Sequence, residues 1–184
     1  MKKLIRVTTV PSSLRTLLKG QHRFMSNHYK VIGVSGEGDA LTEVRQNEGI
    51  DTHVIEMTRT ITLLKDLKAT YLLYKFFKKE KPFIVHTHTP KAGTVGMFAA
   101  KLAGVPHRLH TIAGLPLLEA TGPKRKLLNT VEKFTYSCAT QILRNSFGVK
   151  DIIVQNRYTK ASKLNVIGNG SSNGIDTKHY DSAM

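Results

Sequence analysis

Acidic residues are scarce in this chain of 184 residues: 13 Asp and Glu stand against 28 Lys and Arg, for a formal charge of +15. Such an imbalance points to an anionic partner, whether nucleic acid, a membrane surface or a phosphorylated ligand, over a merely solvated basic surface. Cysteine occurs once, at Cys138, so an internal disulfide and any disulfide-stapled scaffold are excluded. Tryptophan is absent and aromatic residues make up 7% of the chain, which leaves few platforms for stacking bases. No apolar run approaches the roughly 18 residues of a spanning helix. The apolar start is interrupted by Arg6 and ended by Pro11, unlike a secretory signal. The short motifs of several enzyme classes are missing too. Pro11-Ser12-Ser13 stands where a dinucleotide fold carries G-x-G-x-x-G, and there is no P-loop, no H-E-x-x-H and no C-x-x-C. Gly33, Gly36 and Gly38 have the wrong spacing for a phosphate loop and read as a tight turn.

What is present is an alternation of two periodicities. Strands are expected at Leu4–Val10, Tyr29–Ser35, Asp51–Met57, Phe83–Val85, the run ending near Ala113, Gln141–Ser146 and Leu164–Gly168. Helical patterns lie between them. One opens at Pro11-Ser12-Ser13, with serine as N-cap, and sets Leu14, Leu17, Leu18, Phe24 and Met25 against Arg15, Lys19, His22, Arg23 and Ser26. A short one ends at Gly49. A long one from Thr60 to Lys79 has Leu64, Leu67, Tyr71, Leu72 and Phe76 as its buried side. A small-residue helix covers Ala92 to Ala103. Another starts at Gly122-Pro123 with Leu127, Leu128, Val131, Phe134 and Cys138 inward, and a last one runs from Gly148 to Asn156. Strand and helix in regular succession predict an α/β, Rossmann-like, doubly wound fold with a mainly parallel sheet covered on both faces. Residues 1–168 form that domain, and the Gly/Ser-rich stretch 169–184 reads as a linker toward a further domain.

Ligands in such folds bind at the carboxyl ends of the strands. The polar tips there are the candidates: Ser12 and Ser13 after the first strand, His88 and Lys91 after the fourth, Thr111, Gly114 and Glu119 after the fifth. His86 and His88 are read as pointing to opposite faces, His88 toward a cleft and His86 beneath a helix, which argues against a shared metal. Glu119 is the one carboxylate near the fifth tip, and a solvated loop acid is an equal reading of it. Ser146 could line the cleft but has no sequence neighbours that suggest a triad. Lys124, Arg125 and Lys126 crowd the positive end of a helix dipole, an arrangement that an anionic surface would offset. With Arg15, Lys19 and Arg23 they give two helices with basic faces, suited to anionic lipid head groups.

These residues also carry a resemblance. FIVHTHTPKAGTVGMFAAKLAGVPHRLHTIAGLP, KRKLLNTVEKFTYSCATQILRNSFGVKDIIV and KLNVIGNGSSNGIDTKHYD resemble the N-terminal half of bacterial family 4 glycosyltransferases, enzymes of the GT-B architecture. The likeness is strongest to members that build capsular polysaccharide or lipopolysaccharide O-antigen. It implies retaining transfer of a sugar from a nucleotide-sugar donor to a lipid-linked or saccharide acceptor, with no cofactor and no metal on this half. It also implies that the first domain holds the acceptor and a second holds the nucleotide, so residues 1–184 alone are expected to be inactive. The expected place of work is the inner face of the cytoplasmic membrane, peripherally bound. Two positions depart from the family pattern: Pro11-Ser12-Ser13 replaces a glycine-bearing loop, and Ala113 stands where relatives have a sugar-contacting histidine. A sugar-facing role then falls to Thr111, Glu119 or the second domain. Two rival classes remain, a basic nucleic-acid-binding module and a nucleotide-binding epimerase or reductase. A steep salt dependence of RNA or DNA binding marks the first, and binding of NAD the second.

Overall fold

Seven short stretches rich in β-branched residues become the strands of one sheet. In the computed structural model, which describes residues 1–168 and 170 apart from 113 and 115, they are β1 (Lys3–Val7), β2 (Lys30–Ser35), β3 (Asp51–Val54), β4 (Ile84–Thr87), β5 (His107–Ile112), β6 (Gln141–Arg144) and β7 (Leu164–Val166). Every pairing is parallel, in the order β3-β2-β1-β4-β5-β6-β7. The order reverses between β1 and β4, where a doubly wound sheet leaves a crevice at its carboxyl edge. The expected linker at 169–184 lies, Gly170 apart, outside the described residues.

The helices are α1 (Pro11–Leu17), α2 (Gln21–Ser26), α3 (Ala40–Glu48), α4 (Leu63–Glu80), α5 (Pro90–Leu102), α6 (Gly122–Cys138) and α7 (Phe147–Gln155). Alternation along β1 and β2 separates two cores. Leu4 and Val31 meet Leu14, Leu18, Leu41 and Val44 of α1 and α3 on one face. Ile5, Val7, Ile32 and Val34 meet α4 to α7 on the other. The most intimate contact is that of α5 with β4 and β5. A Cβ on Gly93 would fall 2.4 Å from His110 Cε1, and one on Gly96 2.9 Å from Thr87 Cγ2, so these glycines are what let the helix lie so close.

Several helix faces differ from the periodicity reading. Proline takes the first position of α1 and Val10 is its N-cap with no side-chain bond, so Ser12 and Ser13 lie within the first turn instead of capping it. The chain breaks at Gly20, whose φ of +75° ends α1 and restarts the helix as α2. The restart turns His22 inward and leaves Phe24 exposed, the reverse of a continuous helix. In α4 the buried residues are Ala69, Leu73 and Phe77, while Leu64, Leu67, Tyr71 and Leu72 face outward. In α6 Thr135, Tyr136 and Cys138 are buried, and Leu127 and Phe134 are not.

Candidate functional site

The site is built from the carboxyl ends of β1, β4, β5 and β6 and from the turn between α1 and α2. The tips are tied together first: the Thr9 amide donates to Thr89 Oγ1 at 3.0 Å, and the two threonine hydroxyls share a bond of 2.7 Å. Arg6 and His86 are register partners on neighbouring strands and so lie on one face. Above them Gln21, at the start of α2, accepts a hydrogen bond from Arg6 Nη1 at 3.1 Å. His86 Nε2 shares a hydrogen bond of 2.8 Å with Thr111 Oγ1.

His88 lies on the same face as His86, not the opposite one. Residues two apart on a strand share a face, and the His88 amide continues the ladder by donating to Val7 O at 3.1 Å. The two imidazoles therefore lie against each other, with centroids 3.9 Å apart and planes tilted by 39°. Both rings are buried, and His88 Nε2 has no hydrogen-bond partner. They line a cavity of about 240 Å³ with Gln21, Thr111, Leu143 and Asn145. Arg144, at the tip of β6, lines the same cavity; it is buried, and none of its three guanidinium nitrogens has a partner.

Burial sets the charge state here. Desolvation holds His88 and His86 well below the ordinary imidazole range, and the neighbouring imidazole and Arg6 reinforce it. His22, on the inner side of α2, is brought down to about 4 by burial and by Arg6. Desolvation lowers Arg6 to about 10, which leaves it cationic at neutral pH. The cavity thus offers neutral imidazoles beside fixed positive charge. A free Nε2 on a neutral ring can donate to or accept from a hydroxyl, and unpaired guanidinium donors suit a carboxylate or phosphate. Among the described residues no three His, Cys, Asp or Glu side chains converge as metal ligands would.

Of the residues expected at the site, His88 and Thr111 come together here. Ser12 is exposed and Ser13 half-buried in the first turn of α1. Lys91 belongs elsewhere: its ammonium sits 2.6 Å from Asp66 of α4, on the opposite side of the sheet. Glu119 is exposed in a short 3₁₀ turn, Pro116–Glu119, away from the cavity lining. Gly114 is exposed with open space where a Cβ would point, and its neighbour Ala113 lies outside the described residues. Ser146 caps α7, accepting from the Val149 amide at 3.3 Å. Arg6, Gln21 and Arg144 were not expected at the site. Arginine inside two β-branched strands was the available signal, since a charge in a strand buried on both faces needs a reason.

The two basic stretches are set on opposite sides of the sheet. Arg15 pairs with Glu43 at 2.9 Å, and Arg23 donates to the Asn47 carbonyl. Lys19 is exposed beside them, and all three belong to the α1–α3 side. Lys124 and Lys126 are exposed at the start of α6, and Arg125 folds back onto the Leu117 carbonyl and Asn129.

The all-parallel sheet with a polar cavity at its carboxyl edge defines a Rossmann-like domain with a ligand crevice at its strand tips. The chain belongs to the glycosyl transferase 4-like family, which it matches over residues 10–146. It is 38% identical over 180 residues to the capsular polysaccharide biosynthesis glycosyltransferase CapM of Staphylococcus aureus, covering 97% of this chain and 46% of that one. It is 34% identical over 183 residues to the UDP-Gal:alpha-D-GlcNAc-diphosphoundecaprenol alpha-1,3-galactosyltransferase of Escherichia coli, covering 93% and 46%. The chain thus spans about half the length of these curated relatives. In fold it resembles Anabaena HepE, solved in complex with UDP and glucose, with a TM-score of 0.65 at 15% identity over 93% of this chain and 45% of that one. The UDP-N-acetylglucosamine 2-epimerase of Rickettsia bellii gives 0.70 at 16% identity over 92% and 45%. At such identities the likeness concerns architecture alone. No helix among the described residues is long and apolar enough to cross a membrane.

Proposed function

We propose that this chain is the acceptor-side, amino-terminal half of a retaining glycosyltransferase. It would serve transfer of a sugar from a nucleotide-sugar donor to a lipid-linked or saccharide acceptor in surface polysaccharide synthesis, at the inner face of the cytoplasmic membrane. The observation that carries the reading is the cavity at the carboxyl edge, where His88 Nε2 and the Arg144 guanidinium are buried without partners. Unpaired buried polar groups cost on the order of 1–3 kcal/mol each, a cost that a bound polar ligand offsets. A diphosphate-linked sugar supplies both kinds of partner: phosphate oxygens for the guanidinium, and hydroxyls for the imidazole and Thr111. A relative acts on a diphosphoundecaprenol-linked sugar, and this cavity suits the head group of such a molecule.

Stabilisation of the leaving nucleotide diphosphate falls to a second, nucleotide-holding domain, and this half contributes positioning of the attacking hydroxyl. His88, neutral and with a free ring nitrogen, is the group placed to orient that hydroxyl. No cofactor is assigned to this half, and the residues 1–184 alone are proposed to be inactive in transfer. The reading is tested by calorimetric titration of the chain with a short-chain isoprenyl diphosphate sugar and, separately, with nucleotide sugars. Saturable binding of the first is expected.

A further inference from the structure

The outer surface of α4 and α6 exposes a contiguous apolar patch. Leu63, Leu64, Leu67 and Tyr71 are 77, 84, 62 and 58% exposed, and they occupy successive turns of the amino-terminal half of α4. Opposite them on α6, Leu127 and Phe134 are 50 and 40% exposed. Between the two helices runs a groove of about 530 Å³, floored by Thr94, Val95 and Phe98 of α5. The sheet-facing stripe of α4 is already complete in Ala69, Leu73 and Phe77, so this second stripe serves nothing within the domain. Single exposed leucines need no explanation, but a contiguous apolar patch with a polar rim marks an interaction surface.

The rim decides the partner. Arg59 and Lys68 border the patch on the α4 side, and Lys124 and Lys126 on the α6 side, all of them exposed. The acids that line the groove are Asp66 and Glu132. Asp66 is held by Lys91 at 2.6 Å, and Glu132 is half-buried in the groove wall, where desolvation raises its carboxyl pKa. Hydrocarbon at the centre and net positive charge around it match the layering of a bilayer with anionic head groups, where apolar side chains enter the acyl boundary and Lys and Arg meet phosphate. A protein partner would more commonly meet polar residues of both signs around an apolar centre.

We propose that the α4–α6 face is a membrane-docking surface. Leu63, Leu64 and Leu67 insert among the acyl chains of an anionic bilayer, and Arg59, Lys68, Lys124 and Lys126 contact its head groups. The Arg15, Lys19 and Arg23 stretch lies across the sheet and takes no part. The amino termini of α4, α5 and α6 all lie at the carboxyl edge of the strands, the edge that holds His88 and Thr111. A docked bilayer therefore borders that edge, and an acceptor anchored by its lipid would enter the cavity from the side. This last consequence rests on the acceptor reading, whereas the docking itself does not.

Flotation of the 184-residue chain with vesicles tests it, using phosphatidylcholine alone and phosphatidylcholine mixed with phosphatidylglycerol at roughly 3:1. The chain is expected to float with the mixed vesicles and weakly with the neutral ones. Substituting Leu63→Gln, Leu64→Gln and Leu67→Gln together should weaken binding by at least about tenfold, since each leucine withdraws hydrocarbon from water on insertion. The urea midpoint should stay near that of the parent, because these side chains are exposed in the free protein. Lys68→Glu with Lys124→Glu should weaken binding to the mixed vesicles and leave the weak neutral binding in place. Three results would overturn the proposal: a parent chain that ignores both vesicles, a triple variant that binds as the parent does, or a parent dimer that the triple variant converts to monomer, which would make the face a contact between copies. Vesicle binding requires no sugar donor, so its outcome is read independently of the acceptor titration.

Discussion

Replacing Gly93 by alanine probes the contact that sets the position of α5, and so of the fourth and fifth strand tips. The added Cβ would lie 2.4 Å from His110 Cε1 and 3.0 Å from both ring nitrogens, against an ordinary contact of 3.4–4 Å. The ring cannot swing aside, because it is buried and its Nδ1 shares a 2.7 Å hydrogen bond with Thr87 Oγ1. The helix must lift by about 1 Å, which loosens Ala92, Val95 and Gly96 together. Overpacking of this kind costs about 1–3 kcal/mol, and a gap more than 1 Å too short belongs at the upper end. Alanine returns about 1 kcal/mol through helix propensity. The net expectation is a loss of about 2 kcal/mol, or a Tm lower by roughly 4–8 °C for a domain of this size. Urea unfolding followed by circular dichroism measures it, with an unchanged slope as evidence of the same two states. Gly148→Ala in α7 is the reference: nothing lies within 4 Å of its Cβ position, so it should leave stability unchanged or raise it by a few tenths of a kcal/mol. If Gly93→Ala matches Gly148→Ala, the close approach of α5 to His110 is not real and the reasoning fails.

The buried imidazoles make the fold acid-labile. Burial lowers His22 and His110 to about 4, and His86 and His88 well below the usual value. The unfolded chain therefore binds more protons below about pH 6.5. The stability that depends on these neutral rings is complete above that pH and is lost as pH falls from about 6.5 toward 4, by up to about 3 kcal/mol for each of His22 and His110. Unfolding titrations at several pH values should show that slope, and a flat profile between pH 7 and 5 would contradict the burial. Asp66→Asn should cost about 2 kcal/mol, less than a fully buried pair, because it strands the mostly buried Lys91 ammonium while both groups keep some solvent. Thermal unfolding checks this, and Lys91→Met paired with Asp66→Asn should recover part of the loss.

The succession of strands and helices and the mainly parallel, doubly wound sheet were legible because each strand is a short β-branched run bounded by turn residues and separated from the next by a helical pattern. The helix faces were less so, for physical reasons. α4 carries two apolar stripes, Leu64-Leu67-Tyr71 and Ala69-Leu73-Phe77, and periodicity cannot say which one meets the sheet. The outward one holds the larger side chains and drew the reading toward itself. Gly20 looked like an ordinary helix residue, yet its left-handed conformation reset the phase of everything up to Ser26. At the site, His88 and Thr111 could be placed from their positions at strand ends. Arg6 read as an interruption of an apolar run, and its partnership with Gln21 and proximity to His86 depend on a strand order that brings β1 beside β4. Lys91 follows the fourth strand tip and so was a site candidate, but Asp66, 25 residues earlier, already holds it.

The most direct measurement is the acceptor titration, followed through the side-chain NMR signals of His86 and His88 in the parent and in His88→Ala. The account predicts saturable binding of the isoprenyl diphosphate sugar that shifts both rings, at least about tenfold weaker binding to His88→Ala with the fold retained, and little response to nucleotide sugars alone. Saturation by a nucleotide sugar with no response to the acceptor, or acceptor binding that leaves both rings unmoved, would contradict it.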